Sequence, residues 1–205
     1  TEHDFTIYDG LDLVNLIRPL IYDARHELPS CCTWSWAAIG EYHGHSIQAS
    51  EEDTTSYDHS LGACFGMGHW GLIHGLRPYV GPRTRAIFER WVGFFKTYRR
   101  TLAGDVIHLV RPDGRHPDAL MHVHPEADPP ALVVAFNPSD RPAGLDLCLP
   151  LRFAGFAPGD AVRGEQAGAM TLDDAARGTL RVELEPYEIK AVPLRGQSRA
   201  QARLR

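Results

Sequence analysis

The residues with the clearest potential for chemistry cluster in the first third of the chain. Glu41 follows a short apolar run and lies among imidazoles, with His43 two residues further on. A carboxylate beside imidazoles can exchange protons with a polar substrate or accept hydrogen bonds from it. Trp36, inside the apolar run, carries a ring that can stack on a flat ligand face or pack in a core. The pattern predicts substrate contacts by Glu41, His43 and Trp36. The alternative, and the commoner arrangement, is a solvated loop with the tryptophan in the core.

The remaining polar clusters predict neither a metal site nor a cofactor. Two His-x-His pairs, at 43–45 and 122–124, each bring two imidazoles close together. Zinc takes three or four ligands, and neither pair has a suitably spaced third one. The acidic run at 51–53 is typical of a solvated loop. Gly66-x-Gly68 lacks both the third glycine and the preceding strand of a dinucleotide-binding loop.

A long amphipathic helix is predicted over residues 83–103. Pro82 suits its first turn, and Gly104 is a natural stop. Its apolar residues recur at helical spacing and predict a broad stripe that packs in a core: Ile87, Trp91, Phe94, Phe95, Tyr98 and Leu102.

The residues before this helix predict weaker elements. Residues 10–25 have helical spacing, which Pro19 interrupts. Residues 32–39 are apolar at successive positions, as in a strand buried in a parallel sheet. Residues 46–62 are polar and predict a loop or a short exposed helix. Residues 62–81 are rich in glycine and predict irregular structure.

From about residue 117 the chain reads as short strands separated by Gly, Pro, Asp and Asn. Residues 145–149 and 179–185 alternate between apolar and polar side chains, as half-buried strands do. Residues 119–124 and 131–136 are apolar runs, and a last strand is predicted before residue 194. Several short strands at this spacing predict an antiparallel sandwich.

Composition narrows the class of protein. The chain has 205 residues, of which 43% are hydrophobic, so a core can form. A formal net charge of −5 argues against a nucleic-acid partner. No apolar run is long enough to predict a membrane span. The first residues lack the pattern of a signal peptide, and four cysteines without a CxxC pair favour reduced thiols, so a cytoplasmic location is expected.

Four segments together resemble a known group of enzymes. Residues 131–139 resemble the strand and Asn-Pro turn of the C-terminal β-sandwich that follows the barrel in many retaining glycoside hydrolases, including α-galactosidase-like and α-amylase-like enzymes. Residues 184–192 resemble the segment that closes that sandwich. Residues 85–113 resemble the last barrel helix with its linker, and residues 33–44 a late barrel strand with its loop.

The resemblance implies a fold class of α/β plus all-β, in which the end of a (β/α)8 barrel precedes an antiparallel β-sandwich. It divides the chain into a barrel-like region at 1–115 and a sandwich at 116–195. The residues that follow are polar and basic and predict a disordered tail at 196–205. A complete barrel needs about 250 residues, so only its end is expected here.

The function implied is that of part of a glycoside hydrolase-like protein that acts on O-glycosidic bonds, with a carbohydrate as its partner. The early strands that carry catalytic carboxylates in such enzymes are expected to lie outside this chain. We therefore assign no catalytic residue and expect no activity from the isolated chain. The alternative is a non-catalytic module, either carbohydrate-binding or structural.

Overall fold

The computed structural model describes residues 36–38, 40–42, 45–47, 50–68, 72–74, 78–165 and 168–197. The first described elements are three short strands, β1 (Trp36–Ala38), β2 (Gly40–Tyr42) and β3 (His45–Ile47). Helix α1 (Thr55–Gly66), strand β4 (Leu72–His74) and helix α2 (Pro82–Leu102) follow. The helix predicted over 10–25 lies outside the described residues.

The later strands are numbered in chain order: β5 (Asp105–Val110), β6 (Asp118–Val123), β7 (Ala131–Phe136), β8 (Ala143–Pro150), β9 (Ala161–Gly164), β10 (Gly168–Thr171), β11 (Arg177–Leu184) and β12 (Ile189–Gly196). A short 3-10 turn, Leu151–Ala154, follows β8. Neither described helix is long and apolar enough to cross a membrane.

Strands β1 and β4 pair in parallel, with Trp36 opposite Leu72 and Ala38 opposite His74. Each is followed along the chain by a helix, α1 after β1 and α2 after β4. Parallel neighbours joined through a helix are the repeating unit of α/β folds. The predicted strand over 32–39 is therefore found over Trp36–Ala38, and the predicted helix over 83–103 is found as α2.

The second half of the chain forms two antiparallel sheets. The larger has six strands in the order β10-β9-β12-β7-β6-β5, and the smaller pairs β11 with β8. Residues 119, 121, 133 and 135 of the large sheet face the small one. They share a core with Leu147, Leu149, Leu180 and Val182 of the small sheet. The strands β8 and β11 bury alternate residues, as their sequence predicts. The predicted β-sandwich is confirmed.

The large sheet is buried on both faces. Its opposite face carries Leu120, Leu132, Val134 and Phe136, which pack against residues of the two helices, including Ala63 and Leu102. This two-sided burial explains why β6 and β7 have near-continuous apolar sequences instead of alternating ones. The two helices and the two sheets of the sandwich therefore form three layers: the small sheet, the large sheet and the helix pair.

Helix α1 corrects two expectations from the sequence. Its residues were predicted as a loop or an exposed helix up to 62 and as irregular structure beyond, yet nine of its twelve residues are buried. Small residues allow this close approach. A Cβ on Gly62 would lie 2.5 Å from Cζ2 of Trp91, and one on Gly66 would lie 3.0 Å from Cγ1 of Val134. The glycines that suggest a loop are contact points between layers.

Two other expectations meet the structure only in part. The described residues contain a two-stranded parallel sheet and not a closed (β/α)8 barrel. The large sheet begins at Asp105, because β5 pairs with β6. The division at 115/116 stays a prediction about domain organisation. Of the predicted tail, Gly196 ends β12 and residues 198–205 lie outside the described residues.

Candidate functional site

The carboxyl ends of β1 and β4 lie side by side, because the two strands are parallel. In α/β folds this edge of the sheet carries the ligand site. Strand β2 begins two residues after β1, and its central residue is Glu41, which pairs with Ser46 of β3. Trp36 is the first residue of β1, two residues before the carboxyl end of that strand. His43 lies outside the described residues. The three roles stay predictions.

The amino end of α1 is tied to the segment that follows β4. The hydroxyl of Tyr57, which is 1% exposed, donates a short hydrogen bond to the carbonyl of Pro78. Burial raises the pKa of Tyr57, so the hydroxyl stays protonated and keeps donating. This contact fixes the start of α1 against the approach to α2.

Glu51 caps the amino end of α2 from 32 residues away. The cap position itself is Gly81, which has no side chain to accept a hydrogen bond. Oε2 of Glu51 instead accepts from the backbone N–H of Arg83 at 2.9 Å, and Oε1 accepts from the N–H and the hydroxyl of Thr84 at 2.9 and 2.7 Å. The hydroxyl bond from Thr84 is the largest cause of a lowered pKa at Glu51. The acidic run predicted as a solvated loop thus supplies a helix cap.

A groove opens where the two helices meet the turn between β11 and β12, and we name it the junction groove. Its volume is about 330 Å³. The described residues that line it come from α1 (Asp58, His59), α2 (Arg90, Trp91, Phe94) and the segment entering β12 (Tyr187, Glu188, Ile189, Ala191). Aromatic and charged side chains therefore line one opening.

Asp58 positions the tryptophan of this groove. Its Oδ1 accepts a hydrogen bond from Nε1 of Trp91 at 2.7 Å and forms a short ion pair with Arg90. Gly62, one turn along α1, leaves the space that the indole ring fills. The guanidinium of Arg90 lies 5.1 Å from the centre of the Trp91 ring. The ring of Phe94 packs edge-on against the Trp91 ring, with 5.4 Å between the ring centres. The Trp91 ring is held on several sides.

Tyr187 forms the opposite wall and has an unusual backbone conformation. Its φ is +58°, in the left-handed region. Nδ1–H of the buried His59 donates to its carbonyl oxygen at 2.9 Å. The N–H of Tyr187 donates to the carbonyl of Ser139 at 3.0 Å, and the N–H of Asn137 donates to the carbonyl of Glu188 at 2.9 Å. The turn is therefore fixed from both the helix side and the sheet side.

His122 of β6, the first histidine of the 122–124 pair, packs between the sheet and helix α1. Nε2–H of His122 donates to the carbonyl of Gly66 at 2.8 Å, and the side chain is fully buried between sheet and helix. No group of three or more His, Cys, Asp or Glu side chains that could hold a metal ion occurs in the part of the chain that the structure describes.

Sequence reasoning misses the junction groove entirely. Its walls come from residues 58, 91 and 187, which no local pattern connects. Trp91 and Phe94 are correctly predicted as helix packing residues, since both contribute to the core between the helices. Their position at an opening depends on where the sandwich meets the helix layer.

The order of elements defines the class. Parallel strands with their helices, followed by an antiparallel sandwich packed on those helices, are the fold of the C-terminal part of α-galactosidase-like and α-amylase-like glycoside hydrolases.

Among solved structures, the GH36 α-galactosidase AgaA from Geobacillus stearothermophilus matches 90% of this chain at 17% identity with a TM-score of 0.62. The galactosidase domain of the α-galactosidase-sucrose kinase AgaSK matches 89% at 16% identity with a TM-score of 0.60. The α-amylase from Geobacillus thermoleovorans, complexed with acarbose, matches 70% at 11% identity with a TM-score of 0.50.

The chain spans only part of each of these proteins: 24% of AgaA, 25% of the galactosidase domain and 34% of the amylase. No family model matches the sequence, and no curated protein does. The likeness at these identities is one of fold.

Proposed function

We propose that this chain is part of a glycoside hydrolase that acts on O-glycosidic bonds of carbohydrates. The observation that carries the proposal is the order of elements, two strand–helix units and then a sandwich docked on the helices, over nine-tenths of the chain. AgaA variants from the same source have been solved in complex with raffinose and with stachyose.

Catalysis in this proposal depends on carboxylates outside the described residues. Glycoside hydrolysis uses two carboxyl groups on either side of the scissile bond, about 5–5.5 Å apart for retention and about 6.5–9.5 Å apart for inversion. Two described carboxylates that could be taken for catalytic groups have structural partners instead. Asp58 binds the Trp91 indole and Arg90, and Glu51 caps α2. Substrate contact is assigned to Glu41 and His43, after β1, and to Trp36 within it.

The alternative is a non-catalytic module, carbohydrate-binding or structural. It is favoured by how completely the apolar surface is covered. Among the described side chains, the only large hydrophobic ones that are exposed are Val80 and Phe153. Among these side chains, no large exposed apolar patch requires a further element to cover it.

Two experiments test the glycosidase proposal. The first is the reading frame upstream of Thr1, where the glycosidase proposal expects enough alternating strands and helices to complete a barrel of about 250 residues. A start codon directly before Thr1 would contradict it. The second is a panel of nitrophenyl α- and β-glycosides, on which this chain alone is expected to show no turnover. Turnover would refute the assignment of catalysis to other strands.

Glu41→Gln tests the strand-end contact in the same chain. The variant is expected to weaken binding of raffinose or maltotriose, because a carboxylate accepts hydroxyl hydrogen bonds more strongly than an amide. Glu89→Gln, on the exposed face of α2, is the matched control. Equal affinities of the two variants would remove Glu41 from the proposed site.

A further inference from the structure

The junction groove has the size of a small-ligand site. Its volume of about 330 Å³ lies at the lower end of the ~300–1,000 Å³ typical of such sites. It lies between the helix layer and the sandwich, and the described residues that line it come from the helices and the segment entering β12, not from the strand ends that the proposed function uses. Interfaces between structural units are common places for ligand sites.

The lining favours a particular ligand chemistry. Phe94 and Tyr187, both half-buried, offer aromatic surface, whereas Trp91 is only 7% exposed. Asp58, Glu188 and Arg90 place charged groups beside these rings. Oε2 of Glu188 already accepts from the N–H of Glu185, and Oδ1 of Asp58 accepts from Trp91. Aromatic rings pack on apolar ligand faces, and charged groups bind hydroxyls by strong hydrogen bonds. The one guanidinium already pairs with Asp58, so no positive charge remains in excess to attract an anion. We propose that the junction groove binds a neutral saccharide, as a second carbohydrate site apart from the strand ends.

The backbone of Tyr187 gives independent support. A left-handed φ of +58° after a proline belongs to a turn position where glycine or asparagine is free of strain. A tyrosine there costs free energy, and such strain gathers at functional sites. Ala176 also has a positive φ, of 53°, but its methyl group is buried in the sandwich core. The ring of Tyr187 has no comparable burial, since it lies half-buried at the opening.

The turn is rigid before any ligand arrives. His59 donates a hydrogen bond to the carbonyl oxygen of Tyr187, and the N–H of Tyr187 donates to the carbonyl of Ser139. The N–H of Asn137 donates to the carbonyl of Glu188. Asp58 likewise fixes Trp91 on the opposite wall. A preorganised wall loses little conformational freedom on binding, which favours affinity for a weakly bound ligand such as a short saccharide.

The test is a titration of the 205-residue chain with raffinose and with maltotriose, followed by saturation-transfer NMR. The variant is Tyr187→Gly, which removes the ring and relieves the backbone strain. We expect it to bind the saccharide at least tenfold more weakly while its melting temperature is unchanged or higher. Phe153→Ala, at an exposed aromatic residue that does not line the groove, is expected to bind as the unmodified chain does.

The outcomes separate this proposal from the strand-end contact. Binding that survives Glu41→Gln but is lost in Tyr187→Gly places a saccharide in the groove. Binding that is lost in Glu41→Gln and kept in Tyr187→Gly overturns the groove proposal and leaves the proposed function intact. Absence of binding of both saccharides to the unmodified chain also overturns it. Should Tyr187→Gly fail to fold, Tyr187→Asn makes the same comparison, because asparagine tolerates a left-handed φ.

Discussion

Gly62→Ala should lack the stabilisation that alanine usually gives over glycine in a helix interior. Gly62 faces Trp91 from the middle of α1, and an added Cβ would lie 2.5 Å from Cζ2 of Trp91 and 2.9 Å from Cδ1 of Ile189. Carbon atoms in contact lie about 3.5–4.0 Å apart, so the indole has to move by roughly 1 Å. Its hydrogen bond to Asp58 and the edge contact with Phe94 oppose that movement.

Gly93, in the middle of α2, is the matched control. An added Cβ there meets nothing within 4 Å. Alanine in a helix interior is more stable than glycine by about 0.5–1 kcal/mol, and Gly93→Ala is expected to raise the free energy of unfolding by that amount. Gly62→Ala has the same intrinsic gain but incurs an overpacking cost of about 1–3 kcal/mol. Its net effect on the free energy of unfolding should range from about zero to a loss of about 2.5 kcal/mol.

Urea denaturation of both variants measures the difference. A gain at Gly62→Ala equal to that at Gly93→Ala would refute the close packing of α1 on α2. The double variant with Trp91→Phe adds a second check, since phenylalanine lacks the ring atom that the new Cβ meets. The two substitutions should be less destabilising together than the sum of their separate effects, and strict additivity would argue against the contact.

Three further changes test contacts at the ends of elements. Asn137→Ala removes two donated hydrogen bonds from a fully buried amide and should cost roughly 1–3 kcal/mol in urea denaturation, whereas exposed Asp140→Ala should change little; equal effects would contradict the turn network. A hydrogen bond from the side chain of His116 lowers the pKa of Asp113 to about 2. The contribution of Asp113 to the stability of the fold is therefore complete above pH ~4 and is lost as the pH falls through about 2. An NMR titration of the Asp113 carboxyl with a midpoint near 4 would argue against this contact. Glu51→Ala removes the cap of α2 and should lower the melting temperature more than Glu52→Ala does. A larger loss for Glu52→Ala would contradict the capping role of Glu51.

The sequence predicts those elements whose pattern is local. The alternation of β8 and β11 and the apolar stripe of α2 are visible in short windows, and both are confirmed. Helix α1 is not visible in this way, because its small residues, such as Gly62 and Gly66, are also typical of loops. Strand β5 reads as a linker, since it is an edge strand that is only partly buried.

The site is less predictable than the fold for a physical reason. The position of Glu41 after a parallel strand follows from the apolar run before it. The junction groove instead depends on three distant segments meeting, and the left-handed φ of Tyr187 is not encoded by its residue type. Such a conformation exists because His59, Ser139 and Asn137 hold the turn from outside it.

The two-sided burial of the large sheet limits how this chain can be divided. A segment starting at Asp105 would keep the sandwich core but would leave the Leu120, Leu132, Val134 and Phe136 face without its helices. That face would then be open to water and prone to self-association. A shortened version of this chain should therefore keep α1 and α2 together with the sandwich, because the helices cover that face.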